Sequence, residues 1–494
     1  MRAYLSVSNK ENIEILAKNL IDKKYEIIST GNTFKYLKEK GIPVLESSTI
    51  TGFNELLGGK VKSLDSKIFA GILANEEERC DENIKYFDLV AIDLYPFEKY
   101  MDIDVDIDTL IQNIDIGGVA LLRAGAKNYQ NVIIISSSDD YSIDLDEIDE
   151  QKRQELALKA FAKTSKYDYL INKKLAHQFK SEQNQKTFYL NKLKTLRYGE
   201  NPHQKANLYS YDKELDWVLL NGKEMSYNNI LDTTCALEIA AEFFDVSAVV
   251  IVKHQNPCAV ALAPTLNEAW DKAIDSDPIS PFGGIVALTK TLTLDLAKKL
   301  SSMFLEVVVA PSFEADALEE LKKKKNLRII QINTPYQEIS KFNKEEIKLT
   351  PFGALVQEKD TKDLDVQTFK VVTKKKPDQQ QVEDMIFAFK VVKHVKSNAI
   401  VIAKDLRTLG ICGGQTNRVG AVEIALNRVC DSPKDAVLAS DGFFPAIDNI
   451  QIAAQNRIGA IIQPAGSIKD EDVIKEADKY EIAMISTGIR HFKH

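Results

Sequence analysis

The sequence predicts an α/β protein. A doubly wound parallel-sheet domain spans residues 1–190, and a larger, internally duplicated α/β domain spans residues 191–494. Three observations predict it. Short β-branched apolar runs alternate with amphipathic segments over short connections, the pattern of parallel strands with crossover helices. The stretch Val249–Ala263 opens as a buried strand ending in Lys253-His254, and Val392-Lys393-His394-Val395-Lys396-Ser397-Asn398-Ala399 echoes it. Ser276-Asp277 and Ser440-Asp441 follow the two copies, which suggests a duplicated unit with a site between the copies.

Taken in order, Ala3–Val7 reads as a strand and Lys10–Lys23 as a helix with Ile13, Leu16, Ala17 and Leu20 on one face. Tyr25–Ser29 is the second strand; a short helix and the strand Ile42–Leu45 follow. Ser8, Lys10, Thr30, Gly31 and Thr33 lie at strand-to-helix turns, where hydroxyls and free N–H groups make a phosphate cradle. Ordinary helix capping explains the same residues, and both readings stay open. Gly58-Gly59-Lys60-Val61-Lys62-Ser63 is a basic, glycine-rich loop. Phe87–Leu94 is a buried strand ending in Tyr95-Pro96-Phe97. Ile114-Asp115-Ile116-Gly117-Gly118 precedes a helix carrying Arg123 and Lys127. No histidine occurs before His177, so proton transfer in this domain falls to Lys, Tyr, Asp, backbone or water.

Residues 143–180 read as a long charged helix, with Leu156/Ala160 and Ala157/Phe161 sharing a face. Ser181–Lys186 is the expected linker. In the second domain Pro257 lacks an N–H, so the strand should break or bulge there. Lys253 and His254 then stand at a strand's carboxyl end, the edge where α/β proteins place chemistry. A bland reading, one exposed lysine and one satisfied histidine, is outweighed by the neighbouring motifs. Ser280-Pro281-Phe282-Gly283 is a turn feeding another strand.

A net charge of −8 argues against a general nucleic-acid binder. The Lys322–Lys325 run reads as a solvated helix end. Five scattered cysteines with no C-x-x-C pair suit a reducing cytosol and give neither a disulfide framework nor a zinc site. No signal h-region or apolar stretch of about 20 residues is seen, so a cytoplasmic protein without a membrane role is expected.

Together with Arg197-Tyr198-Gly199-Glu200-Asn201-Pro202-His203-Gln204 and Thr487-Gly488-Ile489-Arg490-His491-Phe492, these motifs resemble one family over nearly the whole chain. It is the bifunctional purine-synthesis family joining aminoimidazole-carboxamide ribonucleotide (AICAR) formyltransferase to inosine monophosphate (IMP) cyclohydrolase. The resemblance implies a methylglyoxal-synthase-like first domain and cytidine-deaminase-like subdomains in the second. It implies 10-formyltetrahydrofolate as co-substrate, no catalytic metal, room for a structural monovalent cation, and a homodimer with shared transferase sites. In the first domain Lys62 and Lys127 would hold substrate and steady negative charge, while Tyr95 and Asp115 assist proton transfer and dehydration. In the second, His254 is the implied base, with Lys253 and Asn398 steadying the oxyanion and the leaving folate nitrogen. Arg197, Tyr198 and Arg490 would take the nucleotide phosphate. Asn228, Ser280, Phe282, Gly283, Gln415, Arg418, Phe443 and Asp448 would line the nucleotide and folate cleft; plain core packing would also explain Phe443. His394 is left structural.

The chain departs from the family pattern at Asn32, at Lys60, which lacks an arginine's bidentate geometry, at Asp65, which adds negative charge, and at Ala259. These departures motivate an alternative in which the first domain is a regulatory or nucleotide-binding module. A zinc deaminase, suggested by Pro257-Cys258, lacks the His-x-Glu and second cysteine its metal needs.

Overall fold

The computed structural model describes every residue except 54–55, 59–60, 81–83, 182–183, 212–213, 343–344 and 431–433. The chain divides into two compact units, Met1–Tyr189 and Leu190–His494.

In the first unit the strands are β1 (Arg2–Ser6), β2 (Glu26–Ser29), β3 (Leu45–Glu46), β4 (Leu89–Ile92) and β5 (Ile133–Ile135). They form one parallel sheet in the order β3-β2-β1-β4-β5. The helices are α1 (Ile13–Asp22), α2 (Gly31–Glu39), α3 (Ser48–Thr51), α4 (Ser66–Leu73), α5 (Ile107–Gln112), α6 (Gly117–Lys127) and α7 (Glu150–Phe179). Helix α1 starts three residues later than its pattern suggests, because Asn12 takes a left-handed conformation at φ 62°. Its residues Ile13, Leu16, Ala17 and Leu20 are all buried, as the 3.6-residue period requires. The charged segment before α7 forms only a 3-10 turn, Leu145–Glu147, and the α-helix starts at Asp149, whose side chain accepts from Lys152 N. On α7 Leu156, Ala157 and Ala160 are buried, but Phe161 is 38% exposed and lies under the Arg123 guanidinium.

The strands of the second unit are β6 (Asn191–Leu196), β7 (Ala206–Ser210), β8 (Trp217–Asn221), β9 (Ser247–Lys253), β10 (Asn256–Ala263), β11 (Ile285–Leu288), β12 (Val307–Ala310) and β13 (Arg328–Ile332). They continue with β14 (Glu345–Thr350), β15 (Gly353–Glu358), β16 (Lys370–Val371), β17 (Ile400–Lys404), β18 (Arg407–Cys412), β19 (Val437–Ser440), β20 (Ala460–Gln463) and β21 (Ala483–Ser486). The helices the argument uses are α8 (Tyr227–Ala241), α9 (Leu266–Ser276), α10 (Leu294–Ser301), α11 (Ala315–Lys322), α12 (Tyr336–Ile339) and α13 (Gln379–Val392). Three more follow among the described residues: α14 (Arg418–Asn427), α15 (Asp448–Gln455) and α16 (Asp470–Lys479).

Twelve strands form one sheet, β16-β21-β20-β19-β17-β18-β10-β9-β11-β12-β13-β8. Read outward from the β10–β18 seam, the two halves have the same plan: an antiparallel hairpin, three parallel strands and an antiparallel edge. Helices α8 and α13 precede the hairpins, and each begins with a capping box, Ser226 with Asn229 and Asp378 with Gln381. One face of the sheet carries a single core that runs through both halves, including Leu237, Ile239, Phe387 and Phe389. The other face carries a separate core for each half.

The duplication is therefore real, but its markers differ from those expected. Lys393-His394 is not a strand end; it closes α13. The counterpart of the Lys253-His254 turn is Lys404-Asp405-Leu406. His254 and Gln255 have φ of 54° and 58°, and Asp405 and Leu406 have 53° and 57°. Both hairpins thus turn through two left-handed residues, the twist that suits flanking strands. The Ser-Asp echo is likewise inexact: Asp277 ends α9, whereas Asp441 follows β19. Pro257 does bring a register shift, between Pro257 and Ala259. Because β9 runs antiparallel to β11, its carboxyl end lies at the amino ends of β11–β13 and not at the carboxyl edge. Among the described residues, no helix is long and apolar enough to cross a membrane.

Candidate active sites in the two units

In the first unit the strand order reverses at β1: the chain moves to β2 and β3 on one side, then to β4 and β5 on the other. A crevice forms at the carboxyl ends of β1 and β4, where the loops leave in opposite directions. The segment after β1 holds Ser8 and Lys10, and the segment after β4 holds Asp93 and Tyr95. Ser8 N donates to Asp93 O at 3.3 Å and Asn9 N to Asp93 Oδ2 at 3.0 Å, so the two loops are tied together. Lys163 Nζ on α7 holds the other Asp93 oxygen at 2.8 Å. Lys10 Nζ turns back on the Val7 carbonyl and on Ser8 O. Burial lowers its pKa; Asp93 opposes the shift and Lys62 adds to it. Two ammoniums near each other in a partly buried crevice create a demand for an anion.

Gly31 opens α2 with φ +55°, and a Cβ built on it would lie 3.1 Å from Lys62 Nζ. Only glycine supplies both the conformation and the space that Lys62 occupies. Thr30 and Thr33 are buried beside it. Thr33 Oγ1 exchanges 3.0 Å bonds with Val7 N and O, binding α2 to the loop after β1. Asp115 accepts from Gly118 N at 2.7 Å and from Tyr95 N at 3.4 Å. Burial raises the Asp115 pKa against those two bonds, and burial followed by Asp115 raises that of Tyr95. Tyr167 Oη accepts from Asp115 N at 2.9 Å, and burial pushes its pKa up to about 12. A carboxyl with a raised pKa beside a phenol has the chemistry of a proton-transfer pair.

One expectation changes here. Lys127 is the last residue of α6 and exposed, ten residues beyond Gly117, or about 15 Å of helical rise. The start of α6 faces Ser63, whereas Asn128 at its end donates to the Ile72 and Ala74 carbonyls. Lys127 thus stands away from Asp115 within the unit. Asp65, expected to burden the site with charge, is the N-cap of α4 and accepts from Lys67 N at 2.8 Å. Lys60 lies outside the described residues.

In the second unit a cavity of about 280 Å³ opens at the seam between the halves. Lys253, His254 and Ser280 line it from the first half, Gln415 and Gly413 from the second. His254 is exposed, at the tip of the hairpin turn. Lys253 Nζ donates to Phe282 O at 2.9 Å, which joins it to the turn that Asp277 shapes through Ile279 N and Ser280 N. Gly283 sits in that turn at φ 74°. Burial pushes the Cys258 thiol up to about 12, so it is a protonated wall of the cavity. Among the described residues no group of three or more His, Cys, Asp or Glu is placed to hold a metal ion, so the side chains do not fit a zinc deaminase.

Asn398 meets the cavity through Gln415, whose carbonyl accepts from Asn398 N at 3.1 Å and Nδ2 at 2.8 Å. Its Oδ1 accepts from Arg418 Nη2 at 2.8 Å. Arg418 is 6% exposed and does not line an open cleft; Nη1 is spent on Ala399 O and Asp441. Asp441 is fully buried and also accepts from Ala399 N and Ser397 Oγ. The C-terminal segment closes over this knot: His491 N donates to Asp441 O and Lys493 N to Ser397 Oγ. Arg490 stays exposed, 4.4 Å over the Phe492 ring, and Phe492 lies against Gly442, next to Phe443. Phe443 is 36% exposed, so core packing does not account for it. Asp448 is exposed at the start of α15, its carboxylate turned to Asn449.

Arg197 is exposed over Tyr198, and Asn228 Nδ2 donates to Glu200 O in the same loop. At the C-cap of α8, Glu242 pairs with Lys393 and His394. Burial alone would raise the Glu242 carboxyl, but those partners bring it down to about 2. His394 is buried there, which supports its structural reading.

Sequence reasoning noted Asp441 only as an echo of Asp277, not as the anchor of the segment around Asn398 and of residues 491–493, and it missed Asp232 on α8. The second had a signal: Ser226 and Asp232 stand six apart, as Asp378 and Asp384 do in the other half.

The fold and sites together define a class, a two-unit α/β protein with a crevice at the switch point of the first sheet and a cavity at the seam of the second. The MGS-like domain matches residues 12–120, and the AICARFT/IMPCHase bienzyme matches residues 125–428. The chain belongs to the AICARFT/IMPCHase bienzyme family. It is 47% identical to the bifunctional purine biosynthesis protein PurH of Caldicellulosiruptor bescii, covering 100% of this chain and 99% of that one. The same protein of Thermoanaerobacter sp. is 47% identical with the same coverage. That of Lactobacillus acidophilus is 44% identical over 100% of both chains.

Proposed function

We propose that this bifunctional enzyme carries out the last two steps of IMP synthesis, with formyl transfer in residues 191–494 and ring closure in residues 1–190. Full-length identity to PurH proteins supports the activity. The observation that carries the assignment of transfer is Lys253-His254 at a turn facing a cavity that the Asn398–Gln415 segment closes from the other half.

In transfer the AICAR amine nitrogen attacks the formyl carbon of 10-formyltetrahydrofolate. The new C–N bond forms while His254 takes the amine proton and the carbonyl oxygen becomes an oxyanion. Lys253 and the free N–H of the Asn398 amide stabilise that charge. Collapse breaks the bond to folate N10, which leaves with the proton that His254 took from the amine. Arg490 and Arg197 hold the nucleotide phosphate through their guanidinium forks, and Phe443 offers a flat face to a heterocycle. Arg418 acts through Asn398 and does not touch substrate.

In ring closure the carboxamide nitrogen attacks the formyl carbon and water is lost. Lys62 and Lys10 steady the phosphate and the developing oxyanion, beside Thr30, Gly31 and Thr33. Asp115 and Tyr95 move the protons. The step depends on a prefolded substrate more than on a strong base. By the same family resemblance the protein acts in the cytoplasm as a homodimer, and a monomer in sedimentation would contradict that.

The test is His254→Ala in single turnover. Transfer should fall by at least 100-fold while ring closure of formyl-AICAR is unchanged. A burst at near wild-type speed would overturn the assignment.

A further inference from the structure

We infer that Asp232 is the positioning residue for His254: its carboxylate, reaching up from α8, fixes the hairpin turn on which the proposed base rides. The inference rests on the assignment of His254 above. Asp232 Oδ2 accepts from His254 N at 3.1 Å, and Oδ1 accepts from Gln255 N at 2.7 Å. Cys235, one helical turn farther along α8, donates from Sγ to Gln255 O at 3.4 Å. Both turn residues have positive φ without being glycine, which L side chains adopt reluctantly. A two-residue turn of this hand is normally made by Asn-Gly. Here His-Gln occupies it, so the sequence does not hold the turn unaided. A bidentate carboxylate pointing at two successive N–H groups supplies what the residues lack.

The other half contains the same device without a reacting group. Asp384 on α13 accepts from Asp405 N at 3.0 Å and Leu406 N at 2.7 Å, across another turn of two left-handed residues. Both carboxylates thus hold hairpins, and only the one in the first half holds a residue that faces the cavity. Asp384 is 2% exposed and serves the fold alone. This internal duplicate separates a structural role from a catalytic one within a single chain.

The experiment compares Asp232→Ala, Asp384→Ala, Gln255→Gly and the Asp232→Ala/Gln255→Gly pair with His254→Ala, all in the full chain. Asp232→Ala should lower the transfer kcat by about 30-fold, since a small misplacement of a reacting group costs up to about 100-fold. Its KM for AICAR should stay within threefold, which also reports a folded second unit. Asp384→Ala should lower the melting temperature and leave kcat within twofold. Adding Gln255→Gly, which favours positive φ, should recover at least a third of the lost kcat. If His254→Ala keeps near wild-type transfer, the assignment of His254 fails. If that variant is inactive while Asp232→Ala is fully active, the inference about Asp232 fails alone. A slow Asp232→Ala that Gln255→Gly does not restore, or an equal loss of kcat in Asp384→Ala, overturns it as well.

Discussion

Replacing Arg418 by methionine probes the knot beneath Asn398. The side chain of Arg418 is 5% exposed and that of Asp441 0%, so the substitution strands a carboxylate that water does not reach. Breaking a buried ion pair by removing one partner costs about 3–5 kcal/mol. Asp441 keeps its bonds from Ala399 N and Ser397 Oγ, which places the cost near the lower end, at about 3 kcal/mol. Unfolding entropy is about 2.1 cal/mol/K per residue, and the second unit has roughly 300 residues, so its melting temperature should fall by about 5 °C. Asp441→Asn in the same chain removes the stranded charge, and the double variant should regain more than half of the loss. Calorimetry of the second unit's transition reads both effects. A drop below about 1 °C, or a double variant no more stable than Arg418→Met, would refute the reasoning. Transfer should slow in the single variant with little change in AICAR binding, because Asn398 loses the donor that orients its Oδ1.

Two further outcomes follow from buried carboxyls. Burial raises the Asp115 pKa, so its stabilising contribution is complete below about pH 4 and is lost as pH rises through the raised value. Asp115→Asn should therefore melt higher than wild type at pH 7, equal it in acid, and close the ring at least 100-fold more slowly; a lower melting point at pH 7 contradicts this. Glu242 behaves oppositely, because its pKa is depressed to about 2. Its contribution, on the order of 3 kcal/mol at most, is present above the ordinary carboxylate range and lost as pH falls toward 2. Glu242→Gln should weaken the second unit at pH 7 and flatten its stability between about pH 4.5 and 2; an unaltered acid limb would count against the pairing with Lys393 and His394.

How much the sequence disclosed depends on the physics behind each signal. Periodicity is local, and it placed the buried face of α1 and the alternation that makes a parallel sheet. Proline's missing donor located the register shift after β9. Echoed dipeptides served less well. Lys393-His394 resembles Lys253-His254 in letters, yet one ends a helix and the other turns a hairpin, because backbone dihedrals are not written in side-chain types. The duplication was legible instead in its caps and in the carboxylates six residues after them. Lys127 and Asp115 are near in sequence but at opposite ends of an intervening helix, a separation set by rise per residue. Asp65 was readable as a cap, since an acidic residue before an apolar helical run is a start signal. Asp441 gave no such sign, because its partners come from segments up to 50 residues away.

The tail that ends the chain is hydrogen-bonded at three successive points: His491 N to Asp441 O, Lys493 with Ser397, and the His494 carbonyl from Lys348. Residues 491–494 are thereby pinned to the backbone on either side of Asn398, so a substitution among them would be felt at that amide without touching it.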